Sequence, residues 1–190
     1  MNLKCLTILY VILLQSSVST FETNMGPGEG PTEYAAASNT LQLRELPSGA
    51  SRTVRTVRVS HEQRLPYDDT RYRTTQAGHI RVLVSSHITG RMIGPVRGLS
   101  SKEYSSDKFH DVNVEIRMGR DIEYLQYRGE GTCFVRLQGN VIEADPCPIY
   151  SKSKFKLEIE PKTELWIHTS VGDSVGWLLV NDATAKIVPQ

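Results

Sequence analysis

The sequence predicts an all-β fold, arranged as a small antiparallel barrel or sandwich. Several short segments alternate apolar and polar side chains, which is the period of a strand with one buried face. Turn residues separate these segments at intervals of about six to twelve residues, as in many all-β domains. No segment shows the apolar period of a long helix, so helices are not expected to contribute to the core.

The clearest predicted strands form a meander in the middle of the chain. Asp121–Arg128 is followed by a Gly-Glu-Gly turn, and Gly139-Asn140 marks the next turn. The remaining predicted strands show the same alternation or are rich in β-branched residues. In chain order, the predicted strands are Ile80–Val84, Val112–Met118, Asp121–Arg128, Cys133–Leu137, Val141–Ala144, Phe155–Ile159, Glu164–Thr169, Gly176–Val180 and Ala185–Val188.

Residues 1–20 have the form of a signal peptide. Lys4 supplies a positive charge, Leu6–Leu14 is apolar, and Ser17 and Ser19 are placed for cleavage after Ser19 or Thr20. The apolar run is shorter than the roughly 20 residues that span a membrane. The alternative interpretation is a buried N-terminal strand. The leader therefore predicts a periplasmic or secreted protein without a membrane span.

The two cysteines that follow the leader are expected to form a disulfide. Cys5 leaves with the leader, so Cys133 and Cys147 alone enter an oxidising compartment. A two-residue turn at Gly139-Asn140 would set Cys133 opposite Pro146, one step from Cys147. Closing a loop of about 15 residues would stabilise the fold by roughly 3 kcal/mol. The alternative, a redox or metal pair, lacks the CxxC spacing and a nearby histidine.

The remainder of the chain divides into a linker and a β domain. Residues 21–51 are rich in Gly, Pro, Ser, Thr and Ala and show no apolar period, which predicts a flexible linker. Residues 52–190 carry all the predicted strands. Within them, Arg52–Ser60 has the character of an edge strand whose arginines face water.

The overall charge is balanced, but one sector of the sequence is basic. The full chain carries a net charge of +1, and loss of Lys4 with the leader brings the balance to zero. This balance argues against non-specific binding of nucleic acid, which needs many uncompensated cations. Residues 52–81, the arginine sector, have an excess of arginine. Its basic residues are Arg52, Arg55, Arg58, Arg64, Arg71, Arg73 and Arg81, against Glu62, Asp68 and Asp69.

Three motifs resemble the SH3-like domain of bacterial envelope proteins. They are DIEYLQYRGEG from Asp121, EPKTELWIHT from Glu160 and GWLL from Gly176. That family has a GEG turn between two strands, then an EPKTEWW strand, and a last strand that opens with Gly-Trp. Here Leu165 stands in place of the first Trp of that pair, and Trp166 takes the second place.

The resemblance covers Gly78–Val188 and implies an SH3-like barrel. It departs from the family at the opening Gly-Asp, because Arg120 separates Gly119 from Asp121. The segments RYRTTQAGHIRVL and CFVRLQGNVIEADPCP resemble a narrower group of secreted bacterial proteins of uncharacterised function. Such barrels are adaptors more often than enzymes, so the resemblance does not fix a function.

No motif of known catalytic chemistry is present, and we predict a protein that is not an enzyme. There is no HExxH or HxH spacing, no GxSxG elbow and no thiol left unpaired once the disulfide forms. Glu123 and Glu130 have no reason to flank a sugar as a glycosidase pair. No cofactor and no metal are expected. The histidines are scattered as His61, His79, His87, His110 and His168.

Aromatic residues near strand ends are the candidates for a ligand groove. In SH3-like barrels such a cluster can line a peptide groove. Both faces of Asp121–Arg128 carry apolar groups, so alternation leaves open whether these aromatics form a groove or belong to the core. The candidate groove residues are Tyr127, Arg128, Glu130, Trp166, His168 and Trp177.

The function expected from these features is binding. The first hypothesis is an extracytoplasmic module for a cell-wall peptide or an envelope protein, with Trp166→Ala expected to abolish binding without unfolding the protein. The second is a structural subunit of an envelope complex that assembles through the arginine sector. A secreted inhibitor or neutralising protein is a third. The sequence does not fix the oligomeric state.

Overall fold

The computed structural model describes residues 21–24, 33–94 and 110–188, and nearly all of them lie in strands or turns. The predicted all-β class is therefore confirmed. One 3₁₀ turn, Pro148–Tyr150, interrupts the strands. The strands are β1 (Phe21–Thr23), β2 (Tyr34–Ala36), β3 (Thr40–Arg44), β4 (Thr53–Arg58), β5 (Arg64–Leu65), β6 (Tyr67–Gln76), β7 (Gly78–Val82), β8 (Ser86–Gly94), β9 (His110–Ile116), β10 (Asp121–Gly129), β11 (Thr132–Leu137), β12 (Asn140–Ala144), β13 (Phe155–Ile159), β14 (Lys162–Val171), β15 (Ser174–Val180) and β16 (Ala185–Ile187).

The strands form three antiparallel sheets. The seven-stranded sheet has the order β13-β7-β10-β11-β12-β8-β9. The six-stranded sheet has the order β1-β6-β14-β15-β3-β4, and the three-stranded sheet has the order β16-β2-β5. The described strands form no closed barrel. Closure of the seven-stranded sheet would need its two edge strands, β13 and β9, to pair with each other. They do not pair, and the chain continues from β13 through Pro161 into β14 of the six-stranded sheet.

One long, bent antiparallel ribbon passes through both large sheets. The chain runs from β6 to β7 across the single residue Ala77, and from β13 to β14 across Glu160 and Pro161. Because β6 pairs with β14 and β7 pairs with β13, one bent antiparallel ribbon serves both sheets. At the bend, a Cβ on Gly78 would lie 2.4 Å from the carbonyl oxygen of Ile159. Glycine is therefore required where these two backbones meet.

Three apolar clusters hold the sheets. One face of the seven-stranded sheet supplies a core to which all of its strands contribute, including Ile80, Ile122 and Val135. A second core, with Leu41, Ile167 and other buried residues, lies between the six-stranded and three-stranded sheets. A smaller cluster joins the two large sheets, namely Phe21, Leu125, Phe134 and Val141.

The prediction of a flexible linker over 21–51 is wrong for the described part of that range. It contains β1, β2 and β3, whose side chains Phe21, Tyr34 and Leu41 are buried. β1 and β2 are too short to show a period, and their partners β6 and β16 are remote in the sequence. β3 does alternate, with Leu41 and Leu43 buried, and it pairs with the neighbouring β4 and with β15. The fold therefore begins before residue 52. The predicted signal peptide lies outside the described residues.

The predicted edge strand is confirmed. β4 stands at one end of the six-stranded sheet and pairs only with β3. Its residues 53–56 are all exposed, and Arg55 and Arg58 are among its exposed side chains. Charged side chains on such an edge oppose its pairing with another chain.

Candidate binding site

The structure separates the predicted groove residues into two groups. Tyr127, Arg128 and Glu130 lie at the hairpin between β10 and β11, in the seven-stranded sheet. Trp166, His168 and Trp177 lie on β14 and β15, in the six-stranded sheet. The two groups therefore lie in different sheets, and each is considered by itself.

The second group shares the outer face of the six-stranded sheet, which is the face turned away from its core. Along β14, Leu165 and Ile167 contact the core, so Glu164, Trp166 and His168 point to the outer face. Cross-strand register places Leu179 and Arg71 beside Trp166, and Trp177 and Asp69 beside His168. The outer face is therefore rich in aromatic and charged side chains.

Trp166 is buried despite its place on this face. Its side chain is 1% exposed, and its Nε1 donates a hydrogen bond to Glu164 Oε2 at 3.0 Å. The loop between β3 and β4 reaches across the sheet, because Arg73 on β6 donates a hydrogen bond to the carbonyl oxygen of Pro47 at 3.2 Å. Trp166 therefore offers no stacking surface to a ligand, contrary to the prediction. Its burial makes it a structural residue.

Trp177 and His168 do form a partly exposed cluster on the outer face. The two ring centroids are 5.1 Å apart, and the rings are tilted by 51°. The guanidinium carbon of Arg71 lies 5.4 Å from the Trp177 ring centroid, which is within the range of a cation–π contact. His168 Nδ1 lies 2.7 Å from Asp68 Oδ1, and the His168 side chain is 30% exposed. We call these four residues the Trp177 cluster.

Acidic partners fix the arginine of this cluster. Arg71 is buried, and its Nη1 donates a hydrogen bond to Asp69 Oδ1 at 2.6 Å. Its Nε lies 3.6 Å from Glu22 Oε1 on β1. Burial raises the pKa of Glu22 above its usual 4.5, although the positive charges of Arg71 and Arg73 oppose that shift. Two partners on different strands therefore hold the guanidinium against the Trp177 ring.

Sequence reasoning missed the residues that support Trp177. Arg71 was counted only as part of the arginine sector, and Glu22 lay in the supposed linker. Strict alternation along β6 puts Arg71 on one face with Asp69 and Arg73, and that pattern could have indicated a charged face. Nothing local in the sequence indicates that β1 pairs with β6 and brings Glu22 to Arg71.

Two of the three residues in the first group make internal contacts. Arg128 forms an ion pair with the buried Glu143. Tyr127 lies against Tyr150 with ring centroids 6.4 Å apart, and a hydrogen bond from Tyr150 lowers the pKa of Tyr127. Glu130 is exposed at the turn, with a φ of 49°. Only Tyr150, which was not predicted, is an exposed aromatic here.

The predicted disulfide is confirmed, by a different register from the one expected. Cys133 and Cys147 are bonded, with their Cα atoms 5.2 Å apart. The turn residues are Gln138 and Gly139, both with positive φ, so Cys133 pairs with Ala144 rather than with Pro146. The chain beyond β12 is held close because Cys147 donates its backbone N–H to Gly131 at 2.7 Å.

The arginine sector does not form one surface. Its members are spread over all three sheets, and several have local partners. Arg52 lies 3.4 Å from Glu45, Arg64 pairs with Glu33, and Arg81 lies 3.4 Å from Glu158. Arg71 and Arg73 belong to the outer face of the six-stranded sheet. The basic excess that is visible in the sequence is therefore mostly compensated in space.

Comparisons of the chain with known protein families, with curated proteins and with solved structures give no match. Within residues 21–24, 33–94 and 110–188, no group of three or more His, Cys, Asp and Glu side chains is placed to hold a metal ion. No helix in these described ranges is long and apolar enough to cross a lipid bilayer.

Proposed function

We propose that the protein is a non-enzymatic, extracytoplasmic binding module that contacts a cell-wall peptide through the Trp177 cluster. The observation that carries this proposal is the support of the Trp177 ring by the buried Arg71 and by His168. A large aromatic that is rigid before binding loses little conformational entropy when a ligand stacks on it. Tryptophan and arginine are also the residues most often found at the centres of binding surfaces.

The edge of the cluster supplies polar contacts suited to a short peptide. His168 and Asp68 are both accessible, and one ring nitrogen of His168 is held by the Asp68 carboxylate. The other ring nitrogen can hydrogen-bond to an amide or a carboxylate of a ligand. Asp68 can accept hydrogen bonds from amide or ammonium groups. An aromatic platform with such a polar edge is typical of sites that bind peptides or other small polar ligands.

An open cavity lies beside the cluster. It has a volume of about 400 Å³ and is lined by Gln42 and Arg44 of β3, by Gly49 of the covering loop, and by Trp166 and Leu179 of β14 and β15. Arg44 pairs in register with Trp177, so the cavity continues the same outer face. A ligand that stacks on Trp177 therefore has room to extend toward β3.

Retention on purified peptidoglycan sacculi tests this proposal. We expect the mature protein, with its disulfide intact, to be retained at low and at high salt, because stacking and hydrogen bonds are less sensitive to salt than surface charge pairs. Trp177→Ala should weaken retention by roughly tenfold or more, since a central tryptophan often contributes about 2 kcal/mol to binding. His168→Ala should weaken it by a smaller factor.

Tyr150→Ala is the matched control, because it removes an exposed aromatic from the 3₁₀ turn between β12 and β13, outside the six-stranded sheet. It should leave retention unchanged, and circular dichroism should show that all variants are folded. If Trp177→Ala and His168→Ala are retained as well as the unaltered protein, the assignment of the site is wrong. If no protein is retained but a photo-crosslinker at His168 captures an envelope protein, the partner is a protein instead of the wall.

The alternative of an assembly subunit now depends on β4. The arginine sector is dispersed, but β4 is an edge strand whose outer backbone groups can pair with another chain. Its exposed Arg55 and Arg58 oppose pairing with a second β4 through like charge. A mass that rises with concentration, and that falls again in Arg55→Pro, would favour this alternative.

A further inference from the structure

Three turns of the seven-stranded sheet lie side by side at one end of it. They comprise residues 83–85 after β7, residues 117–120 between β9 and β10, and residues 152–154 before β13. Gly119 donates its N–H to the carbonyl oxygen of Val82 at 2.8 Å, and Leu83 donates to that of Lys154 at 2.8 Å. The turns are therefore neighbours in space, and together we call them the basic tip.

The basic tip exposes apolar side chains. Met118 is 68% exposed, Val84 51% and Leu83 38%. A single exposed apolar residue is normal on a protein surface, but a group of them on adjoining turns indicates a contact surface. None of the three is needed to fill the core of the sheet, whose cluster of buried residues does not include them.

The same turns carry basic side chains without acidic partners. Arg117, Arg120, Lys152 and Lys154 are all exposed, and none of them forms an ion pair within the described part of the chain. The acidic neighbours are Asp121 and Glu115. Asp121 lies 3.2 Å from His79 and 3.8 Å from Arg81, so its charge is already engaged. The basic tip therefore has an excess of positive charge.

A polar cavity lies beside the basic tip. It has a volume of about 460 Å³, and its charged lining residues are Arg117, Arg120, Glu115 and Asp121. Leu137 and Gln138, from the hairpin between β11 and β12, complete one side of it. Both guanidinium groups are exposed, and each offers several donors in a planar array that suits a phosphate outside the cavity.

We propose that the basic tip binds an anionic lipid surface. Leu83, Val84 and Met118 would enter the headgroup region, while the four basic side chains contact lipid phosphates. Apolar side chains combined with a basic rim are typical of surfaces that lie on membranes, and negatively charged lipids attract such residues. A polyanion without apolar groups would match the charge but would leave the three apolar side chains without a partner. The lipid surface is therefore the occupant that accounts for both features.

Sedimentation with lipid vesicles tests the proposal. We expect the mature protein to bind vesicles of phosphatidylcholine mixed with phosphatidylglycerol, and to bind pure phosphatidylcholine vesicles much less. Arg117→Gln combined with Arg120→Gln should weaken binding by about thirtyfold, because each basic residue near an anionic surface contributes a factor of about five. Val84→Ser combined with Met118→Ser should also weaken binding. Val175→Ser combined with Ile187→Ser removes exposed apolar side chains outside the basic tip and should have no effect.

Three outcomes would contradict the proposal that the basic tip binds an anionic lipid surface. The proposal is wrong if the protein fails to bind the anionic vesicles, or if the tip variants bind them as well as the unaltered protein does. Binding to polyglutamate but not to vesicles would also overturn it and would indicate an acidic protein partner. Trp177→Ala serves as a separate control, since it should keep vesicle binding. The test therefore stands apart from the peptide-binding proposal.

Discussion

The two large sheets of the molecule are held together in different ways. The seven-stranded sheet is built from consecutive strands, β7 to β13, and a disulfide joins β11 to the segment after β12. The six-stranded sheet is assembled from the two ends of the described chain, since β1, β3, β4 and β6 meet β14 and β15. In the first, all strands come from one continuous stretch of the chain, and a covalent bond reinforces the hairpins around β11. In the second, the hairpins β3–β4 and β14–β15 are joined by pairings between segments from the two ends of the described chain.

This difference shows where a binding surface can be built. Remote segments bring together side chains that no hairpin would juxtapose, such as Glu22, Arg71 and Trp177. The proposed peptide site accordingly lies on the six-stranded sheet. The basic tip, in contrast, is formed by turns at one end of the seven-stranded sheet. The following predictions test the contacts that hold each sheet and the ribbon that joins them.

The largest expected effect is at Trp166. Trp166→Ala should lower the free energy of unfolding by roughly 3 to 5 kcal/mol, because it removes a fully buried side chain and the contacts of its covering loop. Urea denaturation measures the loss. Trp177→Ala should cost clearly less, since that ring is only half-buried. Equal losses for the two variants would show that Trp177 belongs to the core and would contradict its role in binding.

The disulfide should have the next largest effect. Replacing Cys133 and Cys147 together by serine should lower stability by about 3 kcal/mol, because the closed loop restricts the unfolded chain. The loss should appear first in the seven-stranded sheet, as faster amide hydrogen exchange in β11 and β12. If amide exchange accelerated first in β14 and β15, the disulfide would not act mainly on the seven-stranded sheet, and the prediction would be wrong.

Gly78 tests the ribbon that joins the sheets. Gly78→Ala places a Cβ 2.4 Å from Ile159 O and 2.7 Å from Pro161 N, and these are backbone atoms that cannot simply rotate away. We expect a loss of about 1 to 3 kcal/mol in thermal or urea denaturation. Gly49→Ala is the matched control, since nothing lies within 4 Å of its Cβ position. A tolerated Gly78→Ala would mean that the two backbones separate easily.

The smallest effect concerns pH. Because the folded-state pKa of Glu22 is raised above 4.5, the folded protein binds this proton more tightly than the unfolded chain does. Its contribution to stability is therefore present below pH 4.5 and is lost as the pH rises through the raised value. Glu22→Gln should remove this decrease in stability with rising pH. The free energy of unfolding, measured at about pH 4 and at about pH 7, tests this expectation. An unchanged pH dependence would contradict the burial of Glu22 against β6.

Much of the seven-stranded sheet was predictable from the sequence. Alternation in VNVEIRM and FKLEI marked β9 and β13 to within about two residues, because each of these strands has one buried face. The turn between β11 and β12 was displaced by one residue, since Gly139-Asn140 was chosen where Gln138 and Gly139 have positive φ. A shift of one residue in a turn changes every cross-strand pair, and so it changed the partner of Cys133.

The other sheet and the site were predictable only in part. β1 and β2 have three residues each, too few to show a period, and their stability comes from β6 and β16. Trp166 and Trp177 share a face of the sheet, yet a loop covers one and leaves the other partly exposed. Strand periodicity assigns a face but does not reveal what lies over it. For that reason the sequence could not separate the structural tryptophan from the binding one.

The most direct test of the proposed binding site uses the indole N–H signals in a ¹H–¹⁵N NMR spectrum. The chain contains two tryptophans, so each signal can be assigned with a single Trp→Phe variant. On titration with soluble cell-wall peptide fragments, the signal of Trp177 should shift in a saturable way, and by more than the signal of the buried Trp166, whose side chain only borders the neighbouring cavity. If the fragments bind and the Trp177 signal does not move, the binding surface lies elsewhere and the central claim is wrong.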